Sequence, residues 1–304
     1  MRHPSALMGA SAPAPAVSVV IPAYNEAARL PKTLERSLEY MRASHHRWEI
    51  IVVDDGSSDG TAAAVARRGL GAKLRLLRSE RNCGKGAACV AGASAAAGER
   101  VLFMDADGAT PLSALPLLEQ RMSQGGCEIV AGSRELVLRQ RPFRRQLMGR
   151  AFSLAAASCV RGVGDTQCGF KLLTRDAARA VLPRLHVAGW AFDVEMIHVA
   201  QRLGIRVASV PVPWRDVDGS KIAWHTPAKM LADVARVRAM YSCGAWRAVP
   251  EADGEAGRDA ASTARPQAAD GGSTAARAWW PQCAGGVCYV EVHVPEKIDL
   301  KLNW

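Results

Sequence analysis

Three apolar runs, each about one strand long, end abruptly in polar or acidic residues: "VSVVIP" at 17–22, "WEIIVVDD" at 48–55 and "RVLFMD" at 100–105. Runs so uniformly apolar suit strands covered on both faces, and Pro22 marks the end of the first. The stretches between them have helical spacing. Leu30, Leu34, Leu38 and Met41 recur at three and four residues, and Pro31 fits that helix only in its first turn. "GSSDGT" turns into a second helix, "KLRLLR" forms a further strand, and "NCGKGAACVAGASAAAG" reads as a glycine-opened, alanine-rich helix. Strands alternating with helices in this way predict an α/β fold on a mostly parallel, doubly wound sheet. Such sheets bind ligands in the crevice beyond the carboxyl ends of their strands. The informative residues are therefore those that follow each run.

Beyond residue 128 the pattern loosens. "EIVAGSR", "GFKLLTR" and "IRVASVPVPW" read as short strands and "FDVEMIHVAQRLG" as a helix. "RPFRRQLMGRAFSLAAASCVRG" and "TPAKMLADVARVRAMYSCGAWRA" are basic and amphipathic, the second capped by Thr226 with Pro227 at its first position. Their apolar faces suit either the core or a membrane surface. From about residue 248 the composition turns to Ala, Gly, Asp and Ser, which predicts disorder. One strand-like alternation near the end, "VCYVEVHV", has no evident partner. The expected organisation is a short lead at 1–16, one domain at 17–247 and a disordered tail at 248–304.

The formal net charge of +10 narrows the partners to nucleic acid, an anionic membrane or phosphorylated substrates. No nucleic-acid module is present and no aromatics interleave with the basic runs, so nucleic acid is set aside. No run reaches the roughly 20 apolar residues of a membrane span, and residues 1–16 lack the apolar centre of a signal peptide. A membrane role would accordingly be peripheral. The eight cysteines form no CxxC pair, and they read as reduced, mostly core residues of a cytosol-facing protein.

Four constellations follow the strands. In "PAYNE", Tyr24 can stack on a base and the Asn–Glu pair can hydrogen-bond it; the same residues also suit a helix cap. "DDGSSDGT" is ordinary turn and capping chemistry, yet one aspartate suffices for a cap. Asp54 and Asp55 together can accept the N–H of a uracil or purine ring. In "NCGKGAA", backbone N–H groups, the helix dipole and Lys85 make an anion site, although neither a Walker loop nor GxGxxG is present. "DADG" sets Asp105 and Asp107 one residue apart, where like charges repel unless a cation lies between them. Mg²⁺ or Mn²⁺, held by one or two carboxylates plus substrate phosphates, meets that need. Each signal is weak alone. Arranged in order at successive strand ends, they describe an enzyme acting on a nucleotide diphosphate with a divalent metal.

These motifs resemble the inverting nucleotide-sugar glycosyltransferases of family 2, which have the GT-A fold. "VAGSR", "DTQCGFKLLTRDAAR", "WAFDVEMIHVAQRLG", "VPVPW", "GSK" and "GAWR" extend the resemblance over about residues 17–247, to the dolichyl-phosphate β-glucosyltransferase branch. The resemblance implies UDP-glucose as donor and dolichyl phosphate as acceptor, serving protein N-glycosylation from the cytosolic face of the endoplasmic reticulum membrane. On matching positions it implies Pro22, Tyr24, Glu26 and Asp55 around uridine, with Asp54 beside them. It places Lys85 near the diphosphate, Asp105 and Asp107 on the metal, and Arg134 and Arg145 on phosphate. Gln167, Asp193, Glu195 and Lys221 are carried over with them, Asp193 to orient sugar hydroxyls or a basic partner. Eukaryotic members typically carry an N-terminal membrane anchor, and no such segment is expected within these 304 residues. A related transferase moving mannose, or moving glucose onto another polyprenyl phosphate, shares most of these features. So does an inactive nucleotide-binding subunit, although intact Asp105, Asp107 and Lys85 argue against decay.

Overall fold

The computed structural model describes residues 14–44, 47–135, 152–217, 226–248 and 289–292. Its centre is the pair β1 (Val17–Ala23) and β2 (Trp48–Asp54), parallel along their whole length from Val17 opposite Trp48 to Ala23 opposite Asp54. β3 (Leu74–Arg78) continues the sheet beyond β2, and β4 (Arg100–Phe103) lies on the other side of β1. β6 (Lys171–Thr174) then runs antiparallel between β4 and β5 (Ile129–Ser133), and β7 (Val207–Pro211) is parallel to β5. The eighth strand, β8 (Val290–Glu291), pairs antiparallel with β3, so the order is β7-β5-β6-β4-β1-β2-β3-β8. The expected α/β sheet is present, mixed by virtue of β6 and β8.

The helices are α1 (Leu30–Ala43), α2 (Thr61–Ala66), α3 (Lys85–Ser94), α4 (Leu115–Ser123), α5 (Arg175–Val181), α6 (Phe192–Arg202) and α7 (Thr226–Ser242). Residues 152–157 are also helical, whereas 141–151 of the expected basic helix lie outside the described residues. Strand alternation divides the core into two layers. Val20, Ile51, Val53 and Phe103 face α3, α5, α6 and α7. Val19, Ile21, Ile50, Val52 and Leu102 face α1 and α4. α7 buries Val234, Val237 and Tyr241 and leaves Lys229, Arg236 and Arg238 outward, so its apolar face belongs to the core. None of the described helices is long and apolar enough to cross a membrane.

Both prolines in the first βα unit are accommodated by position. Pro31 falls in the first turn of α1, where its missing N–H has no helical partner to lose. β1 runs one residue past Pro22, because β4 has already stopped pairing at Val20–Phe103 on the side where the proline lacks a donor. The tail reading fails at one place: Tyr289–Val292, within the segment expected to be disordered, lie along the β3 edge. The six described cysteines are all free thiols, with Cys89, Cys127 and Cys168 buried.

α3 sits tightly on the sheet because Gly92 has no side chain. A Cβ there would press on Val20 and come within 2.9 Å of the Val53 side chain. Gly92→Val is therefore expected to lower stability by about 1–3 kcal/mol through overpacking, read as a lower urea midpoint at unchanged m-value.

Candidate active site

The carboxyl ends of β1, β2, β4 and β5 deliver the site residues, and two loops interlock to shape its first wall. Asn25 sits at φ +53°, a left-handed conformation that asparagine tolerates better than most residues. Its N–H donates to Ser57 Oγ at 2.8 Å, and its side-chain oxygen accepts from the Ser58 N–H at 2.8 Å. The Glu26 N–H donates to Thr61 Oγ1 at 2.8 Å and the Ala27 N–H to Asp59 Oδ2 at 3.1 Å. The loops after β1 and β2 are thereby one unit, and Tyr24 stands out from it, 42% exposed. Glu26 has another partner than the one expected. Its two oxygens grip the guanidinium of Arg29, one turn along, with Nε–Oε2 at 2.7 Å.

Asp54 and Asp55 are both buried. Asp54 Oδ1 accepts from the Ser57 N–H at 3.0 Å, and Oδ2 lies 3.3 Å from Arg78 Nε without an aligned hydrogen bond. Asp55 accepts from the N–H groups of Cys83 and Gly84 at 2.9 and 2.8 Å. Burial pushes its carboxyl above the usual range, against those N–H groups, which favour the anion.

The same bonds change the reading of the "GKG" loop. The Cys83 and Gly84 N–H groups go to Asp55, and those of Gly86 and Ala87 to the Ala188 carbonyl, at 2.7 and 3.3 Å. These four N–H groups are engaged, not open to an anion. Glycine is required here by close approach. A Cβ on Gly84 (φ +103°) would lie 2.5 Å from the Ala188 oxygen, and one on Gly86 2.7 Å from Phe192 Cβ. What remains is the Lys85 side chain, whose Nζ is 2.6 Å from Asp105 Oδ1 and 5.3 Å from the ring centre of Trp190. Burial opposes the ammonium charge, but Asp105 and Asp193 outweigh it and hold its pKa above the ordinary lysine range.

Asp105 and Asp107 titrate in opposite directions. Burial alone would raise Asp105, yet Lys85 brings it below the usual carboxylate range. Asp107 is raised, by burial first and then by the charge of Asp105. Its Oδ1 accepts from the Ala109 N–H at 3.0 Å, and its Oδ2 is 3.8 Å from Arg29. Two hard oxygen ligands that repel each other fit a Mg²⁺ or Mn²⁺ ion. No cluster of three or more metal-binding side chains forms among the described residues, so substrate phosphate oxygens and water would complete the shell. Gly169 of "DTQCGFK" lies directly against Asp105, and any Cβ there would collide with the carboxylate.

Two residues not singled out in the sequence hold the opposite wall. Asp165, the first residue of "DTQCGFK", receives Arg134 bidentately, at 2.7 Å (Nε–Oδ2) and 2.8 Å (Nη2–Oδ1), and accepts the Arg134 N–H at 3.0 Å. Lys171, a charged residue opening the apolar strand β6, is fully buried with its Nζ 2.6 Å from Asp193 Oδ1. That out-of-place lysine was the available signal. Asp193 thus has a basic partner beneath the site and does not face an open cleft. Glu195 is buried too, accepting from the His186 and Val187 N–H groups and from the Tyr241 hydroxyl at 2.8, 2.7 and 3.0 Å. The Gln167 side-chain nitrogen is buried with no partner among the described residues. Arg145 and Lys221 lie outside the described residues.

The profile of the family described as Glycosyl transferase family 2 matches residues 18–182, the segment that carries the ends of β1, β2, β4 and β5. The chain belongs to this family. Curated relatives include the dolichyl-phosphate β-glucosyltransferases of Dictyostelium discoideum, 37% identical over 76% of each chain. That of Mus musculus is 39% identical over 77% of this chain and 78% of its own. Among solved structures, glucosyl-3-phosphoglycerate synthase from Mycobacterium tuberculosis with UDP superposes at a TM-score of 0.59. It shares 22% identity over 76% of this chain and 80% of its own. The same enzyme with Mn²⁺, UDP-glucose and phosphoglyceric acid gives 0.57 at 21% identity. These likenesses establish the GT-A fold of a family 2 glycosyltransferase.

In this family 2 chain the Lys171–Asp193 pair is sealed from solvent, so removing one partner strands the other charge. Asp193→Ala is expected to cost about 3–5 kcal/mol in chemical denaturation. The double change Lys171→Met with Asp193→Leu should recover most of that loss, since no buried charge then remains.

Proposed function

We propose that this chain, with residues 17–247 as its catalytic domain, transfers glucose from UDP-glucose to dolichyl phosphate with inversion. The product would be dolichyl β-D-glucosyl phosphate for protein N-glycosylation. The observation that carries this reading is the convergence of Tyr24, Asp55, Lys85, Asp105, Asp107 and Arg134 at one sheet edge. That edge belongs to a chain 37–39% identical to dolichyl-phosphate β-glucosyltransferases.

Each part has a chemical task. The exposed ring of Tyr24 offers a stacking face for uracil, and Asp55, with Asp54 beside it, offers acceptors for the base N–H. Asp105 and Asp107 would hold Mg²⁺ or Mn²⁺ against the diphosphate; bound there, the ion supplies charge neutralisation for the departing UDP. Lys85 keeps Asp105 ionised and adds a positive charge where the diphosphate must lie. Arg134 is set by Asp165, and a preset guanidinium is suited to aiming a phosphate oxygen. A phosphate monoester is largely ionised at neutral pH, its second pKa being about 6. The acceptor therefore needs positioning more than deprotonation. Asp193 fits that economy, since its charge is matched by Lys171 and it acts through the packing under the site.

The basic outer face of α7 supports a peripheral position on an anionic membrane surface, here the cytosolic face of the endoplasmic reticulum. The direct test is transfer of radiolabelled glucose from UDP-glucose to dolichyl phosphate, with GDP-mannose as the competing donor. Lipid-phase label that requires Mg²⁺ or Mn²⁺, disappears with EDTA and falls at least 10²-fold in Asp107→Ala is the expected outcome. Tight UDP binding without transfer would reject the sugar or the acceptor. Absence of UDP binding would reject the nucleotide site itself.

A further inference from the structure

Tyr289–Val292 reach the site from the far end of the chain. Glu291 and Val290 stand opposite Leu77 and Arg78 of β3, and the Val292 N–H donates to the Leu76 carbonyl at 2.8 Å. The Glu291 carboxylate receives Arg75 bidentately, at 2.7 Å from Nε and 2.9 Å from Nη2. Arg75 is itself anchored, 3.1 Å from buried Glu49 and 2.7 Å from the Ala95 carbonyl. Tyr289 packs against one apolar layer of the sheet and Val292 against the other. The Tyr289 hydroxyl then donates to Asp55 Oδ1 at 2.8 Å.

A carboxylate has about four acceptor positions, and three of those on Asp55 are filled. The Cys83 and Gly84 N–H groups are backbone and hold the start of α3. The Tyr289 hydroxyl is the one donor that can leave without disturbing the domain. Asp55 is 2% exposed, and the Tyr289 hydroxyl occupies the acceptor position on Oδ1 that the two N–H groups leave. We propose that Tyr289–Val292 is a tethered competitor for the nucleobase seat, in which the Tyr289 hydroxyl stands where a base N–H would donate to Asp55. This rests on the reading of Asp55 as a base-binding residue.

The segment is suited to reversible occupancy. Two paired residues make a short edge strand, marginal by itself, and the exchange of one hydroxyl donor for one N–H donor is nearly neutral. Nucleotide affinity is then reduced by the fraction of molecules in which the seat is open. The chain accordingly binds UDP less tightly than its bare site would, and nucleotide and β8 exclude each other.

The test uses the full chain. UDP dissociation constants with Mn²⁺ are measured by calorimetry for wild type, Tyr289→Phe and Glu291→Arg, the last placing two guanidinium groups against each other at the β3 edge. Hydrogen exchange at Val292, whose N–H donates to the Leu76 carbonyl, is followed with and without UDP. Both variants are expected to tighten UDP binding, Glu291→Arg by about tenfold, and UDP should release the exchange protection of wild type. Unchanged or weaker binding in both variants, with UDP still bound by wild type, overturns the proposal alone; weaker binding would mean that Tyr289 completes the seat. No UDP binding by any of the three overturns the nucleotide-site reading, and the proposal with it.

Discussion

Parallel strands ending together bring like charges together, and the sheet edge of this protein has to neutralise what its own topology concentrates there. Asp54 and Asp55 leave β2, Asp105 and Asp107 leave β4, and Asp193 and Asp165 close in from the later elements. Four of the six have a cationic counterpart, Arg78 beside Asp54, Lys85 on Asp105, Lys171 on Asp193 and Arg134 on Asp165, and Asp55 is held by neutral N–H and O–H donors instead. Buried charges are tolerable when paired and hydrogen-bonded, and these pairs keep the domain from repelling itself apart. Asp107 has only a distant cation. Arg29 approaches it at 3.8 Å, beyond hydrogen-bond contact, and its carboxyl is raised. A divalent cation carried by a diphosphate would supply the missing charge at that position.

α3 connects the two halves of the site. Asp55 and the Ala188 carbonyl divide its first N–H groups between them. Glu195 fixes the segment that presents Ala188 by accepting from the His186 and Val187 N–H groups. The "GKG" loop near the start of the chain is therefore shaped by "FDVE" a hundred residues later. Trp190, 39% exposed, follows from the same packing, because the turn into α6 must pass directly over Lys85. The helix start thus works as a rigid mount for one lysine, with its dipole directed at Asp55.

Much of this was legible in the chain itself. Uniformly apolar runs such as "WEIIVVDD" can only be strands covered on both faces, and alternation with helices leaves few arrangements other than a mostly parallel sheet. From that followed the position of Tyr24, Asp55, Lys85, Asp105 and Asp107 at strand ends, without any knowledge of their contacts. The motif "DTQCGFK" was recognisable as a unit, but not the division of labour inside it. Asp165 holds Arg134, Gly169 makes room for Asp105, and Lys171 pairs with Asp193.

What only the tertiary structure decided were the partners. Hydrogen bonding at "GKG" depends on a carbonyl a hundred residues away, and the pairing of β8 with β3 spans over two hundred residues. Periodicity and composition report which face of an element is apolar and where it ends, since those are local properties of the chain. Which donor meets which acceptor is set by chain crossings distant in sequence, and no local pattern records them. The sequence by itself determined the sheet, the order of its strand ends and the residue types placed there; the fold decided which of those residues are already engaged and which face the substrate.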